Sequence, residues 1–484
     1  MRLIEVLLGD EILFDTDVID GELDITGLTC DSRAVRPGYL FAALPGAHVD
    51  GRDFITAAAE KGAAIVLAPV GTRTDDIPVL EDANVRQRFA RMAANFYGEQ
   101  PAHVAAITGT NGKTSTASFL RQIWQHLGLK AASIGTLGVD GSGFDESGTL
   151  TTPDPVQLHD TLARLAQGGV DHVAMEASSH GLEQFRLDGV RVQAAGFTNM
   201  SRDHLDYHGT MRAYLAAKLR LFSQVIEGGG TAVINADSPE GQDVAAVSLK
   251  RGLRVMTYGR GGNDIQLNDQ VAHADGQTLS LLVNGAAFEI NLPLAGSFQV
   301  DNALCALGLA LALGADTQAA VQALEHLDGV PGRLQKVGNV AGAAIYVDYA
   351  HTPDALQTVL QALRPHTTGK LHVLFGCGGD RDAGKRPQMG AIAVKFADRV
   401  IVTDDNPRSE NPESIRAEIM TACAQAVEIG DRREAIRVAV QGLGDGDVLV
   451  LAGKGHEQGQ IVGDEVRPFD DVTEAEAAIQ EVGS

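Results

Sequence analysis

From about residue 101 the chain alternates short apolar, β-branched runs with longer amphipathic stretches. HVAAIT (103–108) reads as a buried strand. In the SFLRQIWQHLG that follows, Leu120, Ile123, Trp124 and Leu127 fall at i, i+3, i+4 and i+7, one face of a helix. HVAMEA (172–177), AAGFTN (194–199) and TAVINA (231–236) are further buried-strand candidates. Strands alternating with helices in this way predict a parallel sheet covered on both faces. Around 278–292 the period changes. Asn284-Gly285 between LSLLV and AAFEI predicts a hairpin, because both turn positions need positive φ, and so a small antiparallel addition to the same domain. The helical run VDNALCALGLALALG follows, then a Pro331-Gly332 break. Beyond it the alternation resumes through AAIYVDY, PDALQTVLQAL, KLHVLFG, RVIVTDD and DVLVLAG, long enough for a separate doubly wound domain.

A length of 484 residues is too great for one ordinary core. The pattern divides it into three α/β domains: residues 1–98, 99–329 and 330–484. No repeat, coiled coil or low-complexity tract interrupts them. Hydrophobic content of 44% with 21% charged residues is that of a soluble globular protein. The net charge of −24 disfavours general binding to nucleic acid or anionic membrane, so anionic substrates would need local basic pockets. Cys30, Cys305, Cys377 and Cys423 lie far apart with no CxxC, which predicts buried thiols in a reducing compartment. The N-terminus carries Glu5 and Asp10 and does not read as a signal peptide, and no run of 18 apolar residues is present. The expected location is cytoplasmic.

The strand at 103–108 runs into TGTNGKTS. The common phosphate loop places a glycine five residues before its Gly-Lys-Ser/Thr, but here that position is Ile107. The setting between a buried strand and an amphipathic helix is nevertheless that of a phosphate loop, with glycines allowing close approach to helix N–H groups. Lys113 supplies a cation and Thr114 a hydroxyl suited to Mg²⁺. The alternative is a chance Gly-Lys-Thr in a turn. The fold class expected is therefore α/β: a central P-loop-type parallel-sheet ATPase domain, a C-terminal Rossmann-like domain and a small N-terminal α/β domain.

TGTNGKTS (108–115) resembles the version of this loop found in the Mur ligase family. MEASSHGL (175–182), FTNMSRDHLDYHG (197–209), YLAAK (214–218), GSFQVDNALCA (296–306), PGR (331–333), VDYAHTPDAL (347–356), GCGGDRDAGKRPQMG (376–390), DDNPR (404–408) and AGKGHE (452–457) match in the same order. The resemblance spans nearly the whole chain. It implies an ATP-dependent ligase that phosphorylates the γ-carboxylate of UDP-MurNAc-L-Ala-D-Glu and transfers the acyl group to the amine of an amino acid. Phosphate and carboxylate repel, so such a site needs fixed positive charge and metal.

The roles the resemblance implies are these. Lys113, Glu176, His204 and Lys218 would be catalytic, with one Mg²⁺ at Thr114 and Glu176 and a second at His204. Gly109, Thr110, Asn111, Gly112, Lys113, Thr114 and Ser115 would hold ATP phosphates, Asn302 the adenine, and Arg333 and Asp348 the phosphates and ribose. Arg333 and Asp348 begin the third domain, so the ATP site is expected to close as that domain swings in, with Pro331-Gly332 as hinge. Lys218 would carry a carbamate (N6-carboxylysine), which requires a transiently neutral amine. Read alone, YLAAK is ordinary amphipathic helix with an exposed lysine, Glu176 fits a structural salt bridge, and His204 fits a polar turn.

The UDP-sugar site would be split between Cys30, Ser32, Ala47, His48 and Val49 in the first domain and Thr151, Thr152, Ser178, Gln184 and Arg186 in the second. Leu150 stands where the family often has Asn, and DSR (31–33) alone could be a helix cap. Asp405-Asn406-Pro407-Arg408 matches the form that selects meso-diaminopimelate, with Arg381, Gly453 and Glu457 at the amino acid's other charged ends. A guanidinium can bind the far carboxylate, which lysine lacks, bidentately. A bare DNPR is also a common turn. ATP as co-substrate, Mg²⁺, no nucleic-acid or membrane partner, and a monomer complete the expectation. Competing readings are a folylpolyglutamate synthetase-like ligase, which the DNPR and GKGHE segments oppose, a non-catalytic nucleotide-binding regulator, and an ordinary P-loop kinase.

Overall fold

The computed structural model describes residues 1–8, 20–46, 49–148, 150–274 and 276–483. Two compact units emerge from it, one of Met1–Gln266 with Leu304–Ala320, the other of Leu267–Ala303 with Val321–Ser484.

The first unit holds two sheets. Strands β1 (Gly27–Thr29), β2 (Tyr39–Ala42), β3 (Ile65–Pro69) and β4 (Val79–Asp82) form a parallel four-stranded sheet in that order. Side chains alternate along it: Leu40, Ala42, Ile65 and Leu67 enter one core, Phe41, Val66 and Ala68 the other. The second sheet is built from β5 (His103–Thr108), β6 (Ala131–Gly135), β7 (Gly138–Gly141), β8 (Phe144–Glu146), β9 (His172–Glu176), β10 (Ala194–Phe197), β11 (Thr231–Asn235) and β12 (Arg254–Gly259). Within an eleven-stranded sheet their order is β12-β11-β10-β5-β9-β6-β7-β8, parallel from β12 to β6 and antiparallel beyond, and β13 (Ile265–His273) pairs parallel with β12 at Ile265 and Gln266. β5 lies between β10 and β9, so the loop leaving β5 emerges between the loops that leave its two neighbours.

The predicted helix after β5 begins earlier than its apolar stripe, at Lys113, and runs to His126. Leu120, Ile123 and Trp124 are buried, while Leu127 is its half-buried cap. One core face is supplied about equally by residues 104–177 and 182–253, and Gly196 on β10 admits Cys305 and Leu309 against the other.

In the second unit, β14 (Gly276–Val283) and β15 (Ala286–Leu292) pair about the predicted Asn284-Gly285 turn, whose φ values are 49° and 83°. His366 fastens this region to the C-terminal residues: its Nε2 accepts from Gly296 N (2.9 Å) and its Nδ1 donates to His273 O (2.7 Å). The main sheet has β16 (Gln335–Val340), β17 (Ala343–Asp348), β18 (Leu371–Phe375), β19 (Arg399–Val402), β20 (Val427–Glu428) and β21 (Val448–Ala452) in the order β16-β17-β21-β18-β19-β20. Only β16 is antiparallel. Leu371, Val373, Phe375, Val448, Val450 and Ala452 face one core, and Leu374, Leu449 and Leu451 the other. That two-residue alternation, buried on both sides, is why the strand sequences read as continuous apolar runs. A two-stranded hairpin, β22 (Gly459–Val462) and β23 (Glu465–Pro468), completes the unit.

Two expectations change. Cys30 is exposed, whereas Cys305, Cys377 and Cys423 are buried. The position lies at the end of β1, where the chain leaves the sheet. Lys218 is not an exposed helix lysine; its relative exposure is 1%.

Candidate active site

β5 ends at Thr108, and the chain turns through Gly109 and Gly112 into the helix at Lys113. A side chain at Gly109 would collide with Thr198 Oγ1, and Gly112 caps the helix at φ 86°, in the left-handed region. The loop is pinned to the chain leaving β10: Thr110 N donates to Asn199 O (2.9 Å), Asn111 N to Asn199 Oδ1 (3.0 Å) and Thr198 Oγ1 to Asn111 O (2.6 Å). The first intrahelical bond is Thr116 N to Gly112 O. The N–H groups of Gly112 to Ser115 thus belong to the first turn, the anion-binding end of a helix.

Two lysines meet on this loop. Lys113 Nζ donates to Gly109 O (3.0 Å) and Thr110 O (2.8 Å), and Lys218 Nζ donates to the same Gly109 O (2.6 Å). Lys218 also stands over the Tyr214 ring at 4.3 Å, and the Tyr214 hydroxyl is 3.2 Å from Thr110 Oγ1. Burial, and then the neighbouring Lys113 charge, holds the Lys218 amine well below its ordinary value of 10.5.

Glu176, the last residue of β9, is buried and accepts from Thr136 N at Oε1 (2.8 Å). Its carboxylate and Thr114 line one small cavity. Among the described residues no group of three or more His, Cys, Asp or Glu could hold a metal ion. A carboxylate and a hydroxyl are hard oxygen donors, and Mg²⁺ characteristically takes one or two carboxylates with waters and substrate phosphates. The pair fits such an ion. His204 is exposed at φ 51°, with Nε2 3.4 Å from Asp203 Oδ2 and its ring 4.9 Å from that of His180.

The Thr-Thr pair joins the same network. Thr151 Oγ1 is 3.0 Å from Thr136 Oγ1, and Thr152 Oγ1 donates to Glu176 O (2.9 Å) and accepts from Ser178 N (3.0 Å). Arg186 donates to Thr152 O (2.7 Å) and Gln184 Oε1 (2.8 Å), and Gln184 Nε2 to the Tyr207 hydroxyl (3.1 Å). Thr151, Thr152, Ser178, Gln184 and Arg186 therefore form one connected patch beside Glu176. Cys30, Arg86, Asp154 and Arg186 lie within electrostatic reach of one another. Ser32 is half-buried, while Val49 and Leu150 are exposed. Ala47 and His48 lie outside the described residues.

In the second unit Asn302 donates to Gln299 Oε1 (3.0 Å), whose amide donates to Arg333 O (3.0 Å). Arg333 stacks at 4.9 Å over the Tyr349 ring, with a buried Nε that makes no hydrogen bond among the described residues. Asp348 accepts from Leu334 N (2.7 Å) and Ala350 N (2.8 Å), and burial raises its carboxyl to about 6. Gly332 packs against Gly455 and His456.

The DNPR residues form a second cluster there. Asn406 Nδ2 donates to Glu457 Oε2 (2.9 Å), and Gly453 lies against the Asp405 carboxylate. Arg408, at φ 52°, donates from Nη1 to Gly379 O (2.8 Å). Gly379 N in turn donates to Asn406 O (2.9 Å), so the Pro407 turn is fixed on that side. Arg381 is exposed two residues further along the same glycine loop. A guanidinium oriented by a carbonyl keeps donors for a carboxylate.

Family models match as the Mur ligase family catalytic domain over residues 24–97, the Mur ligase middle domain over 107–310, and the Mur ligase glutamate ligase domain over 332–455. A curated relative from Caulobacter vibrioides, UDP-N-acetylmuramoyl-L-alanyl-D-glutamate--2,6-diaminopimelate ligase, is 55% identical over 95% of this chain and 96% of its own. The chain belongs to the Mur ligase family. A Bradyrhizobium diazoefficiens relative of the same name is 52% identical over 98% of both chains. A solved structure of a ligase of that name is 35% identical, with a TM-score of 0.76 over 100% of this chain and 99% of its own.

For this Mur ligase, motif reading passed over several residues that shape the site. Tyr214 packs on Lys218, Thr136 holds Glu176, and Arg86 lies within electrostatic reach of Cys30. Tyr214 was within reach, since it opens YLAAK four residues before Lys218 on one helix face. Thr136 and Arg86 lie outside the short motifs quoted from the sequence.

Proposed function

We propose that this Mur ligase joins meso-diaminopimelate to the D-Glu γ-carboxylate of UDP-MurNAc-L-Ala-D-Glu at the expense of ATP. The observation that carries the reading is full-length identity of 50–55% to curated relatives of that one name. The carboxylate oxygen attacks the γ-phosphorus and ADP leaves, giving an acyl phosphate. The amine of the amino acid then attacks the acyl carbon, loses a proton, and phosphate departs from the tetrahedral intermediate.

Within this reading residues 1–98 hold uridine, 99–329 hold ATP and the dipeptide, and 330–484 hold the amino acid. Lys113 and the first-turn N–H groups of its helix address the phosphates. Asn302, Arg333 and Asp348 contact the rest of the nucleotide. Thr114 and Glu176 would hold one Mg²⁺ and His204 a second. When bound, the metal supplies charge neutralisation between phosphate and carboxylate. Cys30, Ser32, His48 and the Thr151–Arg186 patch take the UDP-sugar peptide, whose phosphates and carboxylates suit Arg186. Arg381, Asp405–Arg408, Gly453 and Glu457 take the amino acid. Lys218 reacts with CO₂ through its neutral amine, forming an N–C bond and releasing a proton. The support is its burial, its lowered proton affinity and its shared carbonyl with Lys113. The resulting carbamate faces a cation instead of being one. A monomer in the cytoplasm completes the proposal; among the described residues no helix is long and apolar enough to cross a membrane.

Phosphate release from ATP tests it, with the UDP-dipeptide and separately meso-diaminopimelate, L-lysine or no amino acid. Sustained release is expected with meso-diaminopimelate. Equal release with lysine, or release independent of the UDP-dipeptide, would overturn the reading.

A further inference from the structure

The hairpin β22/β23 has no part in the chemistry above, yet it grips the DNPR loop along its length. Gln460 Nε2 donates to Asp405 O (2.7 Å), and Ile461 N donates to Asn406 Oδ1 (2.9 Å). Arg408 is held at both backbone groups: its N–H donates to Ile461 O (3.0 Å), and its carbonyl accepts from Gly463 N (2.7 Å). A left-handed backbone is costly for a residue with a side chain, and it persists where the surroundings over-determine it. The two bonds from the hairpin, with Nη1 on Gly379 O, supply that constraint on Arg408.

Lys454 lies at the root of this contact and is fully buried. Its Nζ donates to Gly459 O (2.5 Å), the first residue of β22, and reaches Asn406 Oδ1 (3.3 Å) and Glu457 Oε2 (3.4 Å). Three acceptors match the three N–H donors of an ammonium group. Glu457 Oε2 is thus shared between Lys454 and Asn406 Nδ2, while Oε1 has no protein donor among the described residues. The carboxylate is fixed at one oxygen and open at the other, the arrangement that receives a substrate ammonium.

We propose that Lys454 and the β22/β23 hairpin form a brace that positions Asn406, Arg408 and Glu457 to select an amino acid with a second carboxylate. The proposal rests on the reading of the DNPR cluster as the diaminopimelate site. Lys454 and Gln460 are positioning residues: each acts through a group that would touch substrate. Loss of the brace lets Arg408 relax toward negative φ and turns its guanidinium off the Gly379 carbonyl. The cost therefore falls on the substrate with the far carboxylate more than on lysine.

The test compares Lys454→Met, Gln460→Ala and Arg408→Ala in the full-length enzyme. It reads KM for meso-diaminopimelate, the diaminopimelate-to-lysine ratio of kcat/KM, KM for ATP and UDP-dipeptide, and melting temperature. Lys454→Met is expected to raise the diaminopimelate KM about tenfold, the scale of one lost hydrogen bond to a charged group. The ratio should fall by a similar factor, with the ATP and UDP-dipeptide constants unchanged. Gln460→Ala should move the same quantities the same way by less, at unchanged melting temperature, and it decides alone if Lys454→Met fails to fold. If Arg408→Ala collapses the ratio while the folded brace variants keep it, the brace is structural only and the inference is wrong. If Arg408→Ala itself keeps the ratio, the reading of the site fails first.

Discussion

Arg408 offers the sharpest separation of recognition from stability. Its guanidinium has five N–H donors and spends Nη1 on Gly379 O, which leaves a planar edge for a carboxylate. Removing one partner of a desolvated, hydrogen-bonded charge pair costs about 2–5 kcal/mol. At about 1.4 kcal/mol per tenfold, Arg408→Ala should raise the meso-diaminopimelate KM by about 30-fold or more. L-Lysine has no far carboxylate, so its poor use should worsen much less and the preference should narrow. Arg408→Lys keeps a charge without the fork and should fall between.

The backbone gives a second, independent readout. At φ 52° a residue with a Cβ bears a left-handed penalty of about 1–2 kcal/mol, which glycine escapes. Arg408→Gly should therefore match Arg408→Ala in its loss of diaminopimelate affinity yet melt higher than Arg408→Ala. Phosphate release at varied amino acid, beside thermal melts, measures both. An unchanged diaminopimelate-to-lysine ratio in Arg408→Ala would refute the role of the guanidinium; equal melting of the Ala and Gly variants would refute the backbone argument.

Lys113→Ala should abolish turnover while calorimetry still detects UDP-dipeptide binding; equal loss of both in a folded protein would contradict the separate sites. Lys218→Ala should be nearly inactive and partly rescued by short-chain carboxylates, and full activity without them would remove Lys218 from the mechanism. Because the folded Lys218 amine sits below 10.5, the folded protein binds fewer protons than the unfolded chain, and stability rises with pH across that window. Lys218→Met should accordingly melt higher than the parent at pH 7 in CO₂-free buffer, with the advantage shrinking as pH approaches 10.5; a constant advantage would exclude the titration. Gly135→Ala places a methyl group on Glu176 Oε1, so the Mg²⁺ concentration for half-maximal rate should rise; an unchanged Mg²⁺ dependence would separate Glu176 from the metal.

The strands were legible because each sheet is buried on both faces, so HVAAIT and DVLVLAG read as unbroken apolar runs. The Asn284-Gly285 hairpin was legible because its turn chemistry is local. The helix start at Lys113 was not, since its first turn presents Thr114 and Ser115 instead of an apolar stripe. Lys218 is the plainest limit. Its partner, the Gly109 carbonyl, is 109 residues distant, and no local periodicity marks a lysine that turns inward. Motif resemblance named Lys218, but its burial needed the fold. Gln460 escaped for a related reason, since a hairpin of ordinary composition acquires meaning only where it lands, and Lys454 lies inside AGKGHE but its three acceptors show only in the fold.

How the cations are held distinguishes two populations in this acidic chain. Arg220 pairs with both oxygens of Asp188, Arg386 with Glu410 and Glu418, and Arg432 with Asp471. Those charges are spent inside the protein. Arg186 donates to the Thr152 carbonyl, and Arg408 to the Gly379 carbonyl. A carbonyl dipole orients a cation without neutralising it, so Arg186 and Arg408 keep their charge for a ligand. With a net charge of −24, such pockets are how the chain can attract phosphates and carboxylates. Lys454 divides its three donors among Gly459 O, Asn406 Oδ1 and Glu457 Oε2 inside the protein, so it positions the site and does not bind in it.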